Sequence, residues 1–284
     1  KLAEIWAEVL GLERVGREEN FFTLGGDSIQ SLQVVTKARR AGWRITPKDV
    51  FERPTVSELA QGAQRWSGEE DRGRAEGEGP LTPIQQWFFE REPQERDHWN
   101  QSFLFSIPAG LELAALQGAV RRLVEQHDAL RLRFTRQGGE VVQSYAVKEQ
   151  GAEMVWEIAT DGSREEIERE AERVQRSLDI EQGPVFRVAL MRAGDRDRLL
   201  LVGHHLVVDG VSWRILLEDL QRLVVEGESA DLGGKTTSYV TWAQRLREYA
   251  GSMELEDQLA YWRKRSDFTL PTDRDGSNLV RDAV

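Results

Sequence analysis

The segment from Leu199 to Trp213 constrains the fold of this chain more than any other part of the sequence. It starts with an uninterrupted apolar run at residues 199–202, which is typical of a β-strand buried on both faces. Two adjacent histidines and an Asp-Gly pair follow, and Ser212 then opens an amphipathic helical pattern. The segment therefore predicts a buried strand, a short polar loop and a helix, in that order.

The two histidines, His204 and His205, stand where the predicted strand ends. Successive side chains of a strand point to opposite faces, so one imidazole is expected to face inward and the other to face a cleft. The inward ring needs a hydrogen-bond partner, whereas the ring in the cleft is free to transfer a proton near neutral pH. A purely structural pair, with both rings bonded to the backbone, explains the same feature, and local sequence leaves both interpretations open.

The composition limits the kinds of partner. The chain has 284 residues and 39% of them are hydrophobic, which is enough for more than one compact core. A formal net charge of −11 disfavours a nucleic-acid or anionic-membrane partner, and the absence of cysteine excludes disulfides and thiolate metal sites. No apolar run is long enough to cross a bilayer and no signal peptide precedes the first helix, so we expect a soluble cytoplasmic protein.

The first 66 residues carry helical patterns that begin near Lys1, Ser28, Thr46 and Pro54 and that are separated by glycine-containing loops. They predict a small all-helical bundle. Ser28 stands at the start of the second helix, where a serine caps free backbone amides and where the acidic Asp27 suits the positive helix end. Taken alone, these two residues are explained by capping.

Residues 67–79 contain no large apolar side chain and are rich in charge and glycine, which predicts a flexible linker. Helical and strand patterns then alternate, and the last residues suggest the start of another strand. The predicted strands cover residues 102–107, 132–134, 141–145, 155–158, 184–191 and 198–203. The predicted helices after the linker cover residues 111–126, 163–178, 239–249 and 254–265.

Three motifs resemble parts of nonribosomal peptide synthetases. Residues 22–29, FTLGGDSI, resemble the core motif of peptidyl carrier proteins, in the form found ahead of epimerization domains. Residues 82–89, TPIQQWFF, resemble the opening motif of epimerization domains. Residues 204–220, HHLVVDGVSWRILLEDL, resemble the signature of the condensation superfamily and of its epimerization branch in particular.

The resemblance implies a multi-domain protein. A four-helix-bundle peptidyl carrier would cover residues 1–66, the linker residues 67–79, and the N-terminal lobe of an epimerization domain residues 80–284. That lobe would have the α/β fold of chloramphenicol acetyltransferase, and the C-terminal lobe of the domain would be absent. Residues 127–131, HDALR, resemble a second superfamily motif, with a helix-end histidine and an arginine that is a candidate cation for Asp209.

The resemblance also implies a chemistry. Ser28, next to Asp27, would carry covalent 4′-phosphopantetheine, and His205 would transfer the α-proton of a thioester-bound aminoacyl or peptidyl group, with a glutamate of the missing lobe as its counterpart. The active site would receive structural support from His204, Asp209, Gly210, Ser212 and Trp213. Among these, His204 and Asp209 would hold the loop and the tautomer of His205, and Ser212 with the amides after it is a candidate donor to a developing oxyanion.

The implied partners are an upstream adenylation domain, the C-terminal epimerization lobe, a downstream condensation domain and a phosphopantetheinyl transferase. Two other functions remain open at this point. A condensation domain would use the same histidine to form a peptide bond, and a non-catalytic docking module would retain the fold alone.

Overall fold

The computed structural model describes residues 1–66, 73–91, 93–147, 151–194 and 196–264. Buried apolar side chains form three clusters in this part of the chain, one among residues 2–59 and two among residues 88–232. The strand suggested for the end of the chain lies outside the described residues. No helix of the described ranges combines the length and apolarity needed to cross a membrane.

The N-terminal unit, residues 1–66, contains four helices and one pair of short antiparallel strands. The helices are α1 (Leu2–Leu10), α2 (Ser28–Arg40), α3 (Pro47–Glu52) and α4 (Val56–Gly62), and the strands are β1 (Trp43–Arg44) and β2 (Gln64–Arg65). The helices pack around side chains that are fully shielded from solvent, among them Trp6, Phe21, Val34, Val50 and Leu59.

Side-chain caps determine where three of these helices begin. Asp27, Thr46 and Thr55 each accept a hydrogen bond from the backbone three residues later, and a side chain at that position bonds back to the capping residue. This reciprocal pattern satisfies two amides that helix geometry leaves free. Asp27, and not Ser28, is therefore the residue that caps α2.

The second unit, residues 73–264, is built on two sheets. A four-stranded sheet has the order β4-β9-β8-β7 and a three-stranded sheet has the order β3-β6-β5. The strands are β3 (Glu78–Gly79), β4 (Asn100–Pro108), β5 (Leu132–Gln137), β6 (Glu140–Tyr145), β7 (Val155–Ala159), β8 (Phe186–Arg192) and β9 (Arg196–His204). The helices are α5 (Pro83–Glu90), α6 (Leu113–Gln126), α7 (Arg164–Gln175), α8 (Gly210–Glu226), α9 (Tyr239–Ala250) and α10 (Met253–Trp262).

Strand β9 is buried on both faces, as its apolar run predicts. Leu199 and Leu201 belong to the larger cluster, which includes side chains of α6 and α8. Leu200 and Val202 belong to the smaller cluster, which includes side chains of α7. The sheet is thus covered by helices on both sides. Because β9 lies between β4 and β8, the loop after His204 leaves the sheet at the end of an interior strand.

The predicted linker is too long at its C-terminal end. Glu78 and Gly79 form β3, which pairs with β6, and the Ala75 backbone exchanges hydrogen bonds with Asp128 and Arg131. A strand of two residues has no periodic sequence signal, so composition alone could not identify it. The first part of the predicted linker, residues 67–72, lies outside the described ranges.

The expected pairing of Arg131 with Asp209 is wrong. Arg131 is buried and donates to Asp128 at 2.5 Å and to the carbonyls of Ala75 and Ala146. It therefore fastens the segment before β3 to the end of α6. Asp209 has different partners, which are described with the candidate site.

Helices α2 and α8 pack parallel to each other and join the two units. At their N-terminal ends Ile29 and Val211 line a common crevice of only about 20 Å³. Further along, Lys37 contacts Glu218 at 2.9 Å and Arg40 contacts Asp219 at 2.8 Å. The crevice is too small to hold a ligand, so the two helices form a packed interface.

Asp219 is the buried centre of this interface, with a side chain that is 1% exposed. One carboxylate oxygen accepts from Arg40 of α2, and the other accepts from His127 Nε2 at 2.9 Å. Burial acts to raise the pKa of Asp219, but the hydrogen bonds and charges of His127 and Arg40 outweigh it and lower the pKa below its ordinary value. His127 thus bonds to a buried carboxylate of α8 rather than to the end of its own helix.

Replacement of this carboxylate tests how strongly the interface contributes to stability. Asp219→Asn should lower the free energy of unfolding by about 1–3 kcal/mol, because two cationic or polar partners lose a buried anion. Glu218→Gln, at the neighbouring and more exposed position, should cost less than about 1 kcal/mol, since its side chain is 38% exposed. Denaturant titration followed by tryptophan fluorescence measures both values.

The pH dependence gives this prediction a second readout. Since the folded-state pKa of Asp219 lies below its ordinary value, the carboxylate stabilises the fold above that value, and the contribution disappears as the pH falls through the folded-state pKa. The difference between the wild type and Asp219→Asn should therefore persist at neutral pH and narrow below about pH 4. Equal losses for Asp219→Asn and Glu218→Gln would contradict the assigned role.

Candidate functional site

A cleft of about 430 Å³ lies where β9 ends, within the size range of small-molecule sites. Side chains of α5, of the loop after β9 and of the first turns of α8 and α9 line it. Most of this lining is apolar or aromatic, including Trp87, Phe88, Trp99 and Val208. His205 is the imidazole that lines the cleft.

His204 is fully buried and points away from this cleft. Its Nδ1 accepts the amide of Leu206 at 3.2 Å, so its proton lies on Nε2, which donates to the Arg96 carbonyl at 2.7 Å. Burial lowers the pKa of His204, although the bond to the Arg96 carbonyl opposes this effect. The ring therefore stays neutral at pH 7 and fixes the strand end.

His205 has the opposite environment and is exposed. Its amide donates to the Trp99 carbonyl at 2.9 Å, whereas the amide of His204 donates to Val185 on the other side of β9. The two amides thus bond on opposite sides of β9, and the chain turns directly after His204, which separates the two side chains. His205 Nδ1 donates to the Val208 carbonyl at 2.9 Å, which leaves Nε2 without a proton in the neutral ring and able to accept one.

Gly203 allows the loop to fold back on the strand. A Cβ atom at this position would come within 2.8 Å of Val208 and 3.3 Å of Trp213. A larger residue would displace Val208, whose carbonyl orients His205. The contact that fixes Nδ1 of His205 thus comes from a backbone carbonyl, a role that the sequence had assigned to His204 and Asp209.

Asp209 caps α8, so the helix starts at Gly210 and not at Ser212. Its Oδ1 accepts the amides of Val211 and Ser212 and also the Ser212 hydroxyl, at 3.1, 2.8 and 2.7 Å. Burial works to raise the pKa of Asp209, but these bonds and the nearby His205 outweigh it and lower the pKa. The expectation that Ser212 donates to an oxyanion is therefore wrong, because its hydroxyl and amide are both bound to Asp209.

Gln101 is a site residue that the sequence analysis missed. It lies on β4 opposite Gly203 of β9, and its side-chain amide reaches both Trp213 and His205. Trp213 is buried and donates its indole N–H to Gln101 Oε1 at 3.0 Å. The position of Gln101 immediately before an apolar strand was visible in the sequence, but the pairing of β4 with β9 that brings it to His205 was not.

Ser28 lies in the N-terminal unit, at the exposed first position of α2. Within the described part of the chain no hydrogen bond engages its hydroxyl. The turn before it depends on glycine, since Gly25 has a φ of 96° and a Cβ atom on Gly26 would come within 2.5 Å of the Phe21 ring. Ser28 is thus a free hydroxyl on a tight turn, which suits covalent attachment of a phosphate-linked group.

Two family models match the chain. The model for the phosphopantetheine attachment site matches residues 1–62, and the model for the condensation domain matches residues 75–279. The first match includes the exposed serine, and the second includes the cleft with both histidines. They indicate a carrier region with covalently attached 4′-phosphopantetheine, followed by a domain of the condensation fold.

The similar curated proteins are large synthases. The chain is 39% identical to surfactin synthase subunit 1 of Bacillus subtilis (strain 168) over 98% of its length. It is also 39% identical to tyrocidine synthase 2 of Brevibacillus parabrevis, over 96% of its length. Each match spans only 8% of the relative concerned.

A solved structure has a similar fold over most of this chain. The crystal structure of the epimerization domain from the third module of tyrocidine synthetase B is 35% identical, with a TM-score of 0.64. The match covers 73% of this chain and 50% of that one. The fold, the cleft with its two histidines and the family matches agree, and the chain belongs to the condensation-domain family, joined at its N-terminus to a phosphopantetheine attachment region.

Proposed function

We propose that this chain is a carrier and the N-terminal lobe of an epimerization domain from a nonribosomal peptide synthetase. Residues 1–66 form a carrier domain of the four-helix-bundle type, and residues 80–284 form the lobe. The likeness to a solved epimerization domain, of which the match covers 50%, supports this assignment. The other lobe of such a domain would complete the cleft.

The observation that carries the proposal is the parallel packing of α2 on α8. Ile29, next to Ser28, shares a crevice with Val211, which follows the Asp209 cap by two residues. Asp209 also lines the cleft that contains His205. The attachment serine and the candidate base therefore lie at the same end of one helix pair, as delivery of a tethered group to the cleft requires.

The proposed reaction is inversion of an α-carbon from L to D. The 4′-phosphopantetheine on Ser28 holds the aminoacyl or peptidyl group as a thioester, whose α-hydrogen is more acidic than that of an amide. His205 receives this proton at Nε2, the nitrogen left free by the bond from Nδ1 to Val208. A group of the second lobe returns a proton to the opposite face, so the net change is one inverted centre.

Other residues of the site hold His205 in place. His204 fixes the strand end, while Asp209 with Gly210 and Ser212 fixes the start of α8. Trp87 and Trp99 give the cleft apolar walls, which favour a substrate with a hydrophobic side chain over a charged one. Asp27 caps α2 and thereby presents Ser28 on the adjacent, exposed position.

The proposal places the chain within a multienzyme. An adenylation domain supplies the activated amino acid, a phosphopantetheinyl transferase modifies Ser28, and a condensation domain takes the inverted product. A condensation function for the second unit itself is the alternative, because the matching family model is that of the condensation domain and the same imidazole would assist attack by an amine.

Loss of the attachment hydroxyl tests the first step. Ser28→Ala should abolish the mass increase of one phosphopantetheinyl group after incubation with coenzyme A and a phosphopantetheinyl transferase, because no other serine of the N-terminal unit lies on this turn. Ser57→Ala, in the first turn of α4, is the matched control and should be modified like the wild type. Intact-protein mass spectrometry reads the result, and modification of Ser28→Ala would refute the assignment.

Solvent exchange tests the second step. The full-length carrier–epimerization protein, loaded with an L-aminoacyl thioester in deuterated water, should incorporate deuterium at the α-carbon without an added amine. His205→Ala should reduce this rate by about 10²- to 10⁴-fold, the usual contribution of a general base. His98→Ala, a partly exposed histidine outside the cleft, serves as the control.

The same experiment separates the two activities. Product that forms only when an amine acceptor is supplied, with no deuterium at the α-carbon, would show condensation instead of epimerization. Deuterium incorporation by His205→Ala at the wild-type rate would show that His205 does not accept the α-proton.

A further inference from the structure

Gln101 connects the buried Trp213 to the exposed His205. The Trp213 indole nitrogen lies 3.0 Å from Gln101 Oε1, and Gln101 Nε2 lies 3.4 Å from His205 Nε2. Gln101 is partly buried on the edge strand β4, while Trp213 packs edge-on against Phe103 of the same strand. The three side chains thus form one polar path that reaches the cleft at His205.

The chemistry of Trp213 decides which way the Gln101 amide points. An indole N–H only donates, so the glutamine atom facing it must be the carbonyl oxygen. The NH₂ group of Gln101 is therefore turned toward His205, and reversing the amide would set two donors against each other. Because Trp213 is 2% exposed, water cannot compete for its N–H.

The backbone carbonyl of Val208 determines which nitrogen of His205 carries the proton. This carbonyl accepts the proton of Nδ1 at 2.9 Å, so Nε2 of the neutral ring carries a lone pair. That lone pair faces the NH₂ group of Gln101. All donors then point in one direction, from Trp213 through Gln101 and His205 to Val208.

We propose that Gln101 is a positioning residue that holds His205 as the neutral Nδ1–H tautomer, with Trp213 setting the direction of its amide. The assignment deepens the proposed function, since it rests on His205 as the proton acceptor. A protonated ring would place an N–H against the NH₂ of Gln101, so the path favours the form that accepts a proton. The 3.4 Å separation fits a contact that yields when a substrate enters.

The other ionisable groups around His205 explain why its neutral form needs support. The carboxylate of Asp209, in the same loop, attracts a positive charge on His205. His204 is neutral and buried, and Tyr239 of α9 lines the same cleft. Gln85 and Trp87 of α5 carry no charge. Gln101 thus opposes the effect of Asp209.

Nitrogen NMR of the resting chain tests the proposal without relying on activity. The sequence has 4 histidines, so selective ¹⁵N-histidine labelling gives four imidazoles, and the signal missing from His205→Ala identifies His205. In the wild type at about pH 8 we expect a protonated Nδ1 and an unprotonated Nε2. Gln101→Glu should shift proton density to Nε2, because a carboxylate accepts where the amide donates.

Two further variants keep the test decisive. Gln101→Met preserves size but removes the donor, and Trp213→Phe preserves the ring but frees the Gln101 amide to turn over; both should yield a mixture of tautomers. Gln244→Glu, an exposed position on α9, makes the same change of charge and should match the wild type. Thermal denaturation checks that each variant is folded.

The pH–rate profile of the full-length protein links the contact to turnover. For Gln101→Glu, the acid limb of α-carbon exchange should move to higher pH by about one unit or more, since a nearby anion favours the charged imidazole. An unchanged His205 spectrum in Gln101→Glu and Gln101→Met would overturn the inference. A changed spectrum, together with exchange that survives His205→Ala, would instead overturn the proposed function.

Discussion

The burial of β9 on both faces is the constraint on which this site depends. A strand covered by α7 on one side and by α6 and α8 on the other can leave the core only at its ends. At that end the strand gives way to a turn, and one imidazole lies inside the protein while the other lines the cleft. Two neighbouring histidines thereby acquire different roles, with His204 anchoring the strand while His205 stays accessible.

The loop after the strand is ordered by backbone groups more than by side chains. The Val208 carbonyl receives Nδ1 of His205, and Gly203 provides the space that Val208 needs. Asp209 then uses one oxygen to occupy the first amides of α8. The amides of Val211 and Ser212 are consequently already bonded and are not free for a group in the cleft.

Sequence patterns predicted the parts of this structure whose signal is local. The run at 199–202 predicted a doubly buried strand, and the helical patterns of residues 1–66 predicted the helices found there. Contacts set by strand register were not predictable: Gln101 meets His205 only because β4 pairs with β9 across about a hundred residues of chain. The start of α8 was also predicted wrongly, because two residues of this loop can cap a helix and Asp209 rather than Ser212 does so. The buried Arg131 pairs with Asp128, three residues away in the chain, and not with Asp209.

The carboxylate of Asp219 limits which carrier units can be combined with this condensation-fold unit in an engineered protein. It holds His127 of its own unit and Arg40 of the carrier with separate oxygens. A carrier grafted from elsewhere that lacks a cation at the position of Arg40 would leave a desolvated anion half satisfied, however well the connecting segment is chosen. Compatibility between recombined units thus depends partly on the surface residues of α2. Residues 40, 127 and 219 should be kept together when units are exchanged.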